Sequence, residues 1–594
     1  MIHPGKFFSA GNGKALGPDI IRAALLAVLV GLVWCATYDR WTEQSWQTPL
    51  TYLSDPEKGD VLNRFAEVRA ARDGYFRPFL WTNIPELGAP YAANWDDNPI
   101  TEKPLLWATG LLARMMGIFA AANVAVLVGQ VLAALSFYTA CRMVNGSWIW
   151  SFAGGFAFAF ARYAFAHGLH HLTVLYYWHV PLCLVVCEWV IRREGIKFGE
   201  RRFVFALLVA LITGIQHVYY TNLFAQFVLF GGLLHGWRRG WREFLPAAAI
   251  LATAAAGFVL MNLNTFSYHF AYGDNALTVV RDYHWLEVYG LKIVDLFVPP
   301  PDHPFPPFAW YGAGHVKEVL LSPGEWPPAG YIGLLGLGAM AWLVIVSLRR
   351  AVDGKKLPLE TFFILWILIY ASVGGINGIM GSLGFQLFRS TTRYSIFILC
   401  IVLMYAVRRL SLVKTRNTFP VYGAAALGMA IAWWDQTPPM VTSAQLDETA
   451  QAVASDRGFV GKMEERLPPN AMVFQIPVME FPESPAPGIG SYDHLRPYLY
   501  SRQLRFSFGS DKGRPREEWQ KALGQLQLNA AVGKLESYGF SAIYVNRNGF
   551  ADKGASLVKA FQDMGRGEII ESERGDLFCV VLKPSPQPVL PDAD

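Results

Sequence analysis

Charged side chains are scarce in this sequence. Asp, Glu, Lys and Arg make up 16% of its 594 residues, whereas a soluble globular protein has about 25%. Hydrophobic residues make up 53% of the chain and are concentrated in long runs. The shortage of charge therefore excludes the ordinary soluble classes, and the runs predict a polytopic membrane protein.

Cysteine is also rare, and its positions exclude further classes. Of the six cysteines, Cys579 alone lies outside the apolar runs, so the water-soluble part has no partner for a disulfide. Cys183 and Cys187 have the i, i+4 spacing of a metal pair, but without another soft ligand nearby helix packing is the favoured interpretation. The C-terminal part has no phosphate-binding glycine pattern, metal-ligand cluster or nucleophile elbow.

The apolar runs predict about eleven transmembrane helices, each of the 17–25 residues that crossing the hydrocarbon requires. The predicted spans are 19–38, 118–142, 147–166, 171–191, 203–219, 220–237, 244–262, 330–348, 359–377, 393–409 and 419–434. The first has no small-residue cleavage site, so it is predicted to be a retained span.

Basic residues predict the orientation, because they are retained in cytoplasmic loops. They recur in every second loop, for example at Arg192, Arg238, Arg349 and Arg408. The N-terminus is therefore predicted to be cytoplasmic. The loops predicted to face outward are 39–117, 167–171, 216–222, 263–329 and 378–392, together with the C-terminal region.

The first outward loop, 39–117, is too long and too rich in acids and tryptophans for a simple connector. We expect it to fold on the membrane surface, with 104–117 as an interfacial helix opened by Pro104. Asp60, followed at helical spacing by Arg64 and Glu67, is the candidate general base for an acceptor hydroxyl. Asp55 and Asp39 are weaker candidates, and a solvated surface acid is the alternative.

A second cluster in this loop reads Asn94-Trp95-Asp96-Asp97-Asn98-Pro99. Paired acids with asparagine suit a hard cation or sugar hydroxyls, and Trp95 could serve as an aromatic platform for a sugar. The same letters also suit an Asx-rich turn before proline. Trp95, Asp96 and Asp97 are therefore candidate sugar- or acceptor-binding residues, and a divalent cation stays open as a cofactor.

Histidines and arginines near the outward ends of later spans are candidates for binding a phosphate. His167, His170 and His171 have spacings that could ligate zinc, but no acid accompanies them, so phosphate or hydroxyl contacts are favoured for His170 and His171. Their alternative is anchoring of helix ends. The other candidates are Arg162, Arg389 and Arg393 for the donor phosphate, because guanidinium forks suit phosphate, and Tyr219 for the sugar or acceptor.

The region 436–594 changes character and alternates helical with strand-like segments. Helices are predicted at 443–467, 515–538 and 552–565, and strands at 471–478 and 540–547. Residues 567–584 are predicted to form a hairpin that turns near Gly575. This alternation predicts a small soluble α/β domain after a transmembrane module that spans 1–435.

The arrangement resembles the GT-C superfamily of integral-membrane glycosyltransferases. The features that carry the resemblance are the acid-bearing loop around Asp60, the short interfacial helix, and the outward-facing Arg389 and Arg393. The stretch TNIPELGAPYAANWDDNP, with AWWDQTPP and SYDHLRPYLYSRQLRFSFG, is similar to an uncharacterised bacterial branch. The chain departs from the usual pattern in its second outward loop, 167–171, which has histidines where many members place a second acid.

The resemblance implies an inverting glycosyltransferase of the bacterial inner membrane. It would take a sugar from a polyprenyl-phosphate donor on the periplasmic side and modify a cell-envelope glycan or lipid. Two alternatives stay open. One is a translocase of lipid-linked sugars, which would favour mid-bilayer acids and internal repeats. The other is a non-catalytic scaffold of a polysaccharide assembly machine, with the C-terminal domain as its interaction module.

Overall fold

The computed structural model of the chain describes residues 13–53, 60–97, 102–319, 329–413 and 418–592. It is mainly helical, with a sheet near the C-terminus. Among these residues, five helices are long and apolar enough to cross a membrane: Gly17–Tyr38, Ile118–Met143, Leu172–Ile191, Trp241–Met261 and Gly333–Val352. Helices also lie in the other predicted spans, but they are shorter or less apolar, so the count of eleven stays a prediction.

The helices up to residue 436 occupy both the apolar runs and the loops between them. In the described residues they are α1 Gly13–Tyr38, α2 Glu43–Gln47, α3 Asp60–Asp73, α4 Lys103–Met116, α5 Ile118–Met143, α6 Trp148–Ala159, α7 Arg162–His167, α8 Leu172–Leu175, α9 Val180–Ile191, α10 Arg201–Gly214, α11 Val218–Arg239, α12 Leu245–Met261, α13 Leu263–Tyr272, α14 His284–Val288, α15 Pro306–Glu318, α16 Gly333–Val352, α17 Leu359–Ala371, α18 Ile376–Ser382, α19 Ser395–Leu410 and α20 Phe419–Gln436.

Two predicted spans are interrupted in the structure. The segment 147–166 divides into α6 and α7, and α8 and α9 of the segment 171–191 are joined by a 3₁₀ turn at Tyr177–His179, so that Leu172–Ile191 stays long enough to cross a membrane. Pro181 lies in the first turn of α9, where the N–H that proline lacks would have no partner within the helix. Proline therefore favours the start of a new helix at that point. The interruptions place α7, which ends with His167, and α8, which follows His171, at one end of the helical bundle.

Residues of the predicted outward loops and residues of the basic loops lie at the two ends of the same helices. In α11, Tyr219 is in the first turn and Arg238 and Arg239 are in the last. Its 22 residues extend over about 33 Å, close to the thickness of a hydrocarbon core. α19 likewise begins just after Arg393 and ends with Arg408 and Arg409. The basic loops and the predicted outward loops therefore belong to opposite ends of the bundle.

The predicted first outward loop is folded. Asp60 begins α3, and α3 packs along α4, which begins at Lys103 with Pro104 in its first turn, so the predicted short helix at 104–117 is confirmed. The close contact between these helices needs Gly110, because a Cβ there would lie 2.7 Å from Ala71. Strands β1 Asn83–Ile84 and β2 Ala93–Asn94 form a small antiparallel hairpin in the same loop.

The C-terminal region forms a mixed five-stranded sheet with helices around it. Its elements are α21 Ser443–Arg466, β3 Met472–Ile476, β4 Arg505–Phe506, α22 Pro515–Gly524, α23 Leu528–Ser537, β5 Phe540–Asn546, α24 Ala555–Asp563, β6 Ile569–Glu571 and β7 Leu577–Val581. The strand order is β4-β3-β5-β7-β6, with β3 parallel to β4 and β5 and the other pairs antiparallel. The predicted helix 443–467 and the predicted hairpin are confirmed, whereas the helix expected at 515–538 is two helices.

The first outward loop and the C-terminal region pack directly against each other. Leu87 bridges Phe506 next to β4, so the loop continues the sheet at its edge. The Arg69 guanidinium donates to the carbonyl of Ser501 at 2.7 Å and lies over the ring of Tyr498. These contacts fix the loop that carries Asp60 against a rigid sheet.

Candidate functional site

Several predicted outward segments converge on one cavity of about 280 Å³. It lies at the end of the bundle where α3, α4, α8, α11 and α19 begin. The residues that line it are Asp60, Arg64, Glu102, His171, Thr173, Val174, His217, Val218, Tyr219, Phe258, Arg281, Leu387, Arg389, Ser390, Arg393 and Glu483. Segments far apart in the sequence thus place carboxylates, histidines and arginines around a single space.

Asp60 is the first residue of α3, where the positive end of the helix macrodipole favours a carboxylate. Its Oδ2 atom lies 3.3 Å from Nε2 of His171, the residue just before α8, and 42% of the Asp60 side chain is exposed. Burial alone would raise the pKa of Asp60, but the hydrogen bond from His171 and the charge of Arg64 hold it below its ordinary value. Asp60 is therefore a carboxylate at neutral pH.

Arg64 is one turn further along α3 and is itself ion-paired. Its Nη1 atom lies 2.6 Å from Oε2 of Glu67, a buried side chain. Burial raises the pKa of Glu67 to about 7 in spite of this ion pair, and the charges of Glu102 and Asp60 also act to raise it. This part of the cavity thus holds several acids around one arginine.

Beside Arg64, three more arginines line the cavity, and we call the part of the wall that they form the arginine end: Arg281, Arg389 and Arg393. Arg281 comes from the loop between α13 and α14, and the other two come from the segment just before α19. Burial lowers the pKa of Arg281, and the nearby charge of Arg389 lowers it further. Like charges that act on each other in this way repel, so an anion at this place is favoured.

Aromatic rings and a histidine support these arginines. The guanidinium carbon of Arg393 lies 4.9 Å from the centre of the Tyr219 ring, and its Nη1 atom is 3.1 Å from Nε2 of His217. The Tyr219 hydroxyl accepts a hydrogen bond of 2.9 Å from the backbone N–H of Ser390. Tyr219 thus holds the segment that presents Arg389 and Arg393.

One carboxylate at the arginine end comes from the C-terminal region. Oε2 of Glu483 lies 3.3 Å from Nη1 of Arg281, and its Oε1 atom is 3.9 Å from Nη2 of Arg389. Neither Glu483 nor Arg281 was a candidate from the sequence. About 200 residues separate them from each other, so no sequence spacing could have linked them.

Arg162 and His170 are predicted site residues that do not line the cavity. Arg162 is 2% exposed, and its Nη2 atom donates to Oδ1 of Asp302 at 2.7 Å. Its backbone N–H donates to the side chain of Gln436, so it joins α7 to the end of α20. His170 lies between α7 and α8, and its charge acts on Asp60 from there.

The predicted cluster Trp95, Asp96 and Asp97 lies between the first loop and the C-terminal region, not at the cavity. The Trp95 ring is 3% exposed, stacks on Phe481 at 5.5 Å, and its Nε1–H donates to the carbonyl of Gly509. Both carboxylate oxygens of Asp97 accept from Arg514 at 2.7 Å. Asp96 accepts from the backbone of Thr82 and from two asparagines.

This placement gives the cluster a structural role, and its binding of a sugar or an acceptor stays a prediction. Asn98 and Asp55 lie outside the described residues. Within the ranges that the structure describes, no three His, Cys, Asp or Glu side chains are grouped so that they could hold a metal ion.

Comparisons with known proteins give structural similarity without sequence similarity. No protein-family model and no curated protein matches the sequence. Among solved structures, the chain is similar to ArnT from Cupriavidus metallidurans bound to undecaprenyl phosphate, with 12% identity, a TM-score of 0.44, and coverage of 96% of this chain and 99% of that chain. The apo structure of the same protein gives 13% identity, a TM-score of 0.43, and coverage of 97% and 100%.

A third structure is the oligosaccharyltransferase of Archaeoglobus fulgidus in complex with zinc and sulfate. It shares 10% identity with this chain at a TM-score of 0.40, over 88% of this chain and 68% of that chain.

Proposed function

We propose that the chain is a membrane glycosyltransferase of the GT-C superfamily. It takes a sugar from a polyprenyl-phosphate donor and transfers it to a cell-envelope glycan or lipid on the periplasmic face of the inner membrane. The observation that carries this proposal is the cavity itself, which the Asp60–His171 pair and the three arginines of the arginine end line together. A base and a phosphate clamp across one space are what sugar transfer from a lipid phosphate requires.

The cavity also has an apolar part that suits the lipid portion of such a donor. Val218, Phe258 and Leu387 line it beside the arginines. A lipid phosphate would place its headgroup against the guanidinium groups and the start of its chain along these side chains. Guanidinium groups bind phosphate through paired N–H donors, which fixes the headgroup in orientation as well as position.

The proposed reaction moves one proton, forms one bond to the anomeric carbon and breaks another. The acceptor hydroxyl oxygen attacks the anomeric carbon of the sugar while Asp60 takes the hydroxyl proton. The bond between that carbon and the phosphate oxygen breaks on the opposite face, so the configuration at the carbon is inverted. The lipid phosphate leaves with one more negative charge, which the arginines stabilise.

The electrostatics of Asp60 suit this role. A base must be deprotonated before the acceptor binds, and the lowered pKa of Asp60 keeps it so through the neutral range. His171 donates to the same carboxylate, so it also orients Asp60 toward the cavity.

The test is Asp60→Asn in the full chain purified in detergent, with consumption of a polyprenyl-phosphate sugar as the readout. Asparagine keeps the shape and loses the basic oxygen, so we expect a loss of about a hundredfold or more in rate with donor binding retained. Glu43→Gln is the matched control, because Glu43 is an exposed acid of the same loop and does not line the cavity. Full activity of Asp60→Asn would remove Asp60 from the mechanism.

The same preparation separates the alternatives. Reconstituted vesicles that move the lipid-linked sugar to the opposite leaflet without consuming it would identify a translocase. Neither movement nor consumption, with partner proteins retained through purification, would identify a scaffold.

A further inference from the structure

The carboxylate of Glu483 shares the arginine end with the ligand that we propose for it. Its two oxygens lie 3.3 Å from Arg281 and 3.9 Å from Arg389, and all three side chains line the cavity. With 44% of its side chain exposed, Glu483 lies at the cavity wall, where a bound anion would be its neighbour. Its negative charge therefore acts on every anion that enters.

The structure holds Glu483 in this position through its neighbours in the chain. Phe481 is buried and stacks on Trp95, and its carbonyl accepts from the backbone N–H of Lys512 at 2.6 Å. The Lys512 ammonium donates to the side chain of Ser484. Glu483 itself has a φ of 54°, the left-handed region that side chains other than glycine rarely adopt. A strained residue held between anchored neighbours indicates a side chain whose direction matters.

The effect of a fixed negative charge depends on the charge of the ligand. Coulomb repulsion grows in proportion to the ligand's charge. A sugar joined to a lipid through one phosphate is a diester with a single negative charge, whereas the diphosphate-linked form carries two. Glu483 therefore weakens binding of the diphosphate by the square of the factor by which it weakens binding of the monophosphate.

We propose that Glu483 is a specificity-determining residue, which makes the arginine end select a lipid phosphodiester with one negative charge over the diphosphate with two. The proposal rests on the function proposed above and names its donor class. Removal of the Glu483 charge would take this carboxylate away from Arg281 and Arg389 and would favour the doubly charged ligand.

The experiment compares two probes that differ by one phosphate group and therefore by one negative charge: citronellyl methyl phosphate and citronellyl methyl diphosphate. Their dissociation constants are measured by calorimetry at low salt with the full chain in detergent, for the unmodified protein and for Glu483→Gln. We expect Glu483→Gln to bind the monophosphate about tenfold more tightly and the diphosphate about a hundredfold more tightly. High salt should reduce both gains.

Two further variants control the measurement. Glu483→Asp keeps the charge and should keep the original preference. Glu480→Gln removes a carboxylate three residues away, which pairs with Lys521 and does not line the cavity, and it should change neither constant. Equal gains for the two probes, or weaker binding in Glu483→Gln, would overturn the proposal, and weaker binding would mean that Glu483 positions the arginines.

Failure of the Glu483 proposal can be distinguished from failure of the proposed function. If the charge-dependent gains appear but no sugar is transferred, the selection by Glu483 holds and the glycosyltransferase proposal fails. If transfer occurs and the two probes gain equally, only the role of Glu483 fails.

Discussion

Nε2 of His171 lies 3.3 Å from Oδ2 of Asp60 and thereby joins the loop 39–117 to the start of α8. The two residues were candidates from the sequence for different tasks, Asp60 as a base and His171 as a phosphate ligand. The structure brings the two side chains into contact, so that they act as a pair. Their contact also gives the simplest explanation for the lowered pKa of a carboxylate that burial would otherwise push upward.

His171→Gln should move the acid limb of the pH–activity profile to higher pH. The hydrogen bond and the charge of His171 favour the ionised carboxylate, and glutamine cannot carry that charge, so the replacement raises the pKa of Asp60. In the unmodified protein, the deprotonated base persists as the pH falls toward the ordinary carboxyl range near about 4. In the variant, it is protonated at a higher pH, and the rate of donor consumption measured across pH shows the shift.

The control for this profile is His269→Gln, because His269 also contacts a carboxylate, that of Asp97, but outside the cavity. An unchanged acid limb in His171→Gln would mean that the protonation of Asp60 does not limit the rate.

Arg393→Lys should weaken donor binding although it keeps the positive charge. Lysine lacks the planar fork that grips phosphate and that stacks on the Tyr219 ring. We expect the KM for the donor to rise about tenfold, with a smaller change in kcat. Arg409→Lys changes an arginine at the opposite end of α19 and should leave KM unaltered. Equal KM values for both variants would place the donor phosphate elsewhere.

Tyr219→Phe tests whether the tyrosine hydroxyl holds the arginine segment. The ring stays beneath Arg393, but the buried N–H of Ser390 loses its acceptor, at a cost of about 1–3 kcal/mol. We expect weaker binding of citronellyl methyl phosphate, with the overall fold retained. Tyr422→Phe, in which an exposed tyrosine at the other end of the bundle loses its hydroxyl, serves as the comparison.

The sequence predicted the helical class, the folded first loop and five of the residues that line the cavity: Asp60, His171, Tyr219, Arg389 and Arg393. These were accessible because charges beside apolar runs are costly and therefore conspicuous. Arg281 and Glu483 were missed because each lies in a long irregular segment with no periodicity. Trp95 and Asp97 were also noticed because they lie in a polar segment beside apolar runs. Their structural role could not be predicted, because their partners Phe481 and Arg514 lie hundreds of residues away in the sequence.

Arg514→Ala should destabilise the contact between the first loop and the C-terminal region. Asp97 is 1% exposed, and removal of its bidentate partner takes the strongest cation from a buried carboxylate that also contacts Asn275 and His269. We expect a loss of roughly 3 kcal/mol, seen as a lower Tm and as faster proteolysis in the first loop. Arg516→Ala, two residues along in an exposed position, should have little effect. Equal behaviour of the two variants would show that the Asp97 contact contributes no net stability.

The ion pair between Asp97 and Arg514 has a consequence for how the chain is made. Its two residues are 417 positions apart, so the first loop emerges from the ribosome long before its partner exists. Every helix from α4 to α20 is synthesised in that interval. Trp95 and Asp97 therefore lack their partners Phe481 and Arg514 until translation is nearly complete, and a truncated chain that ends before Arg514 would present that surface to quality-control proteases.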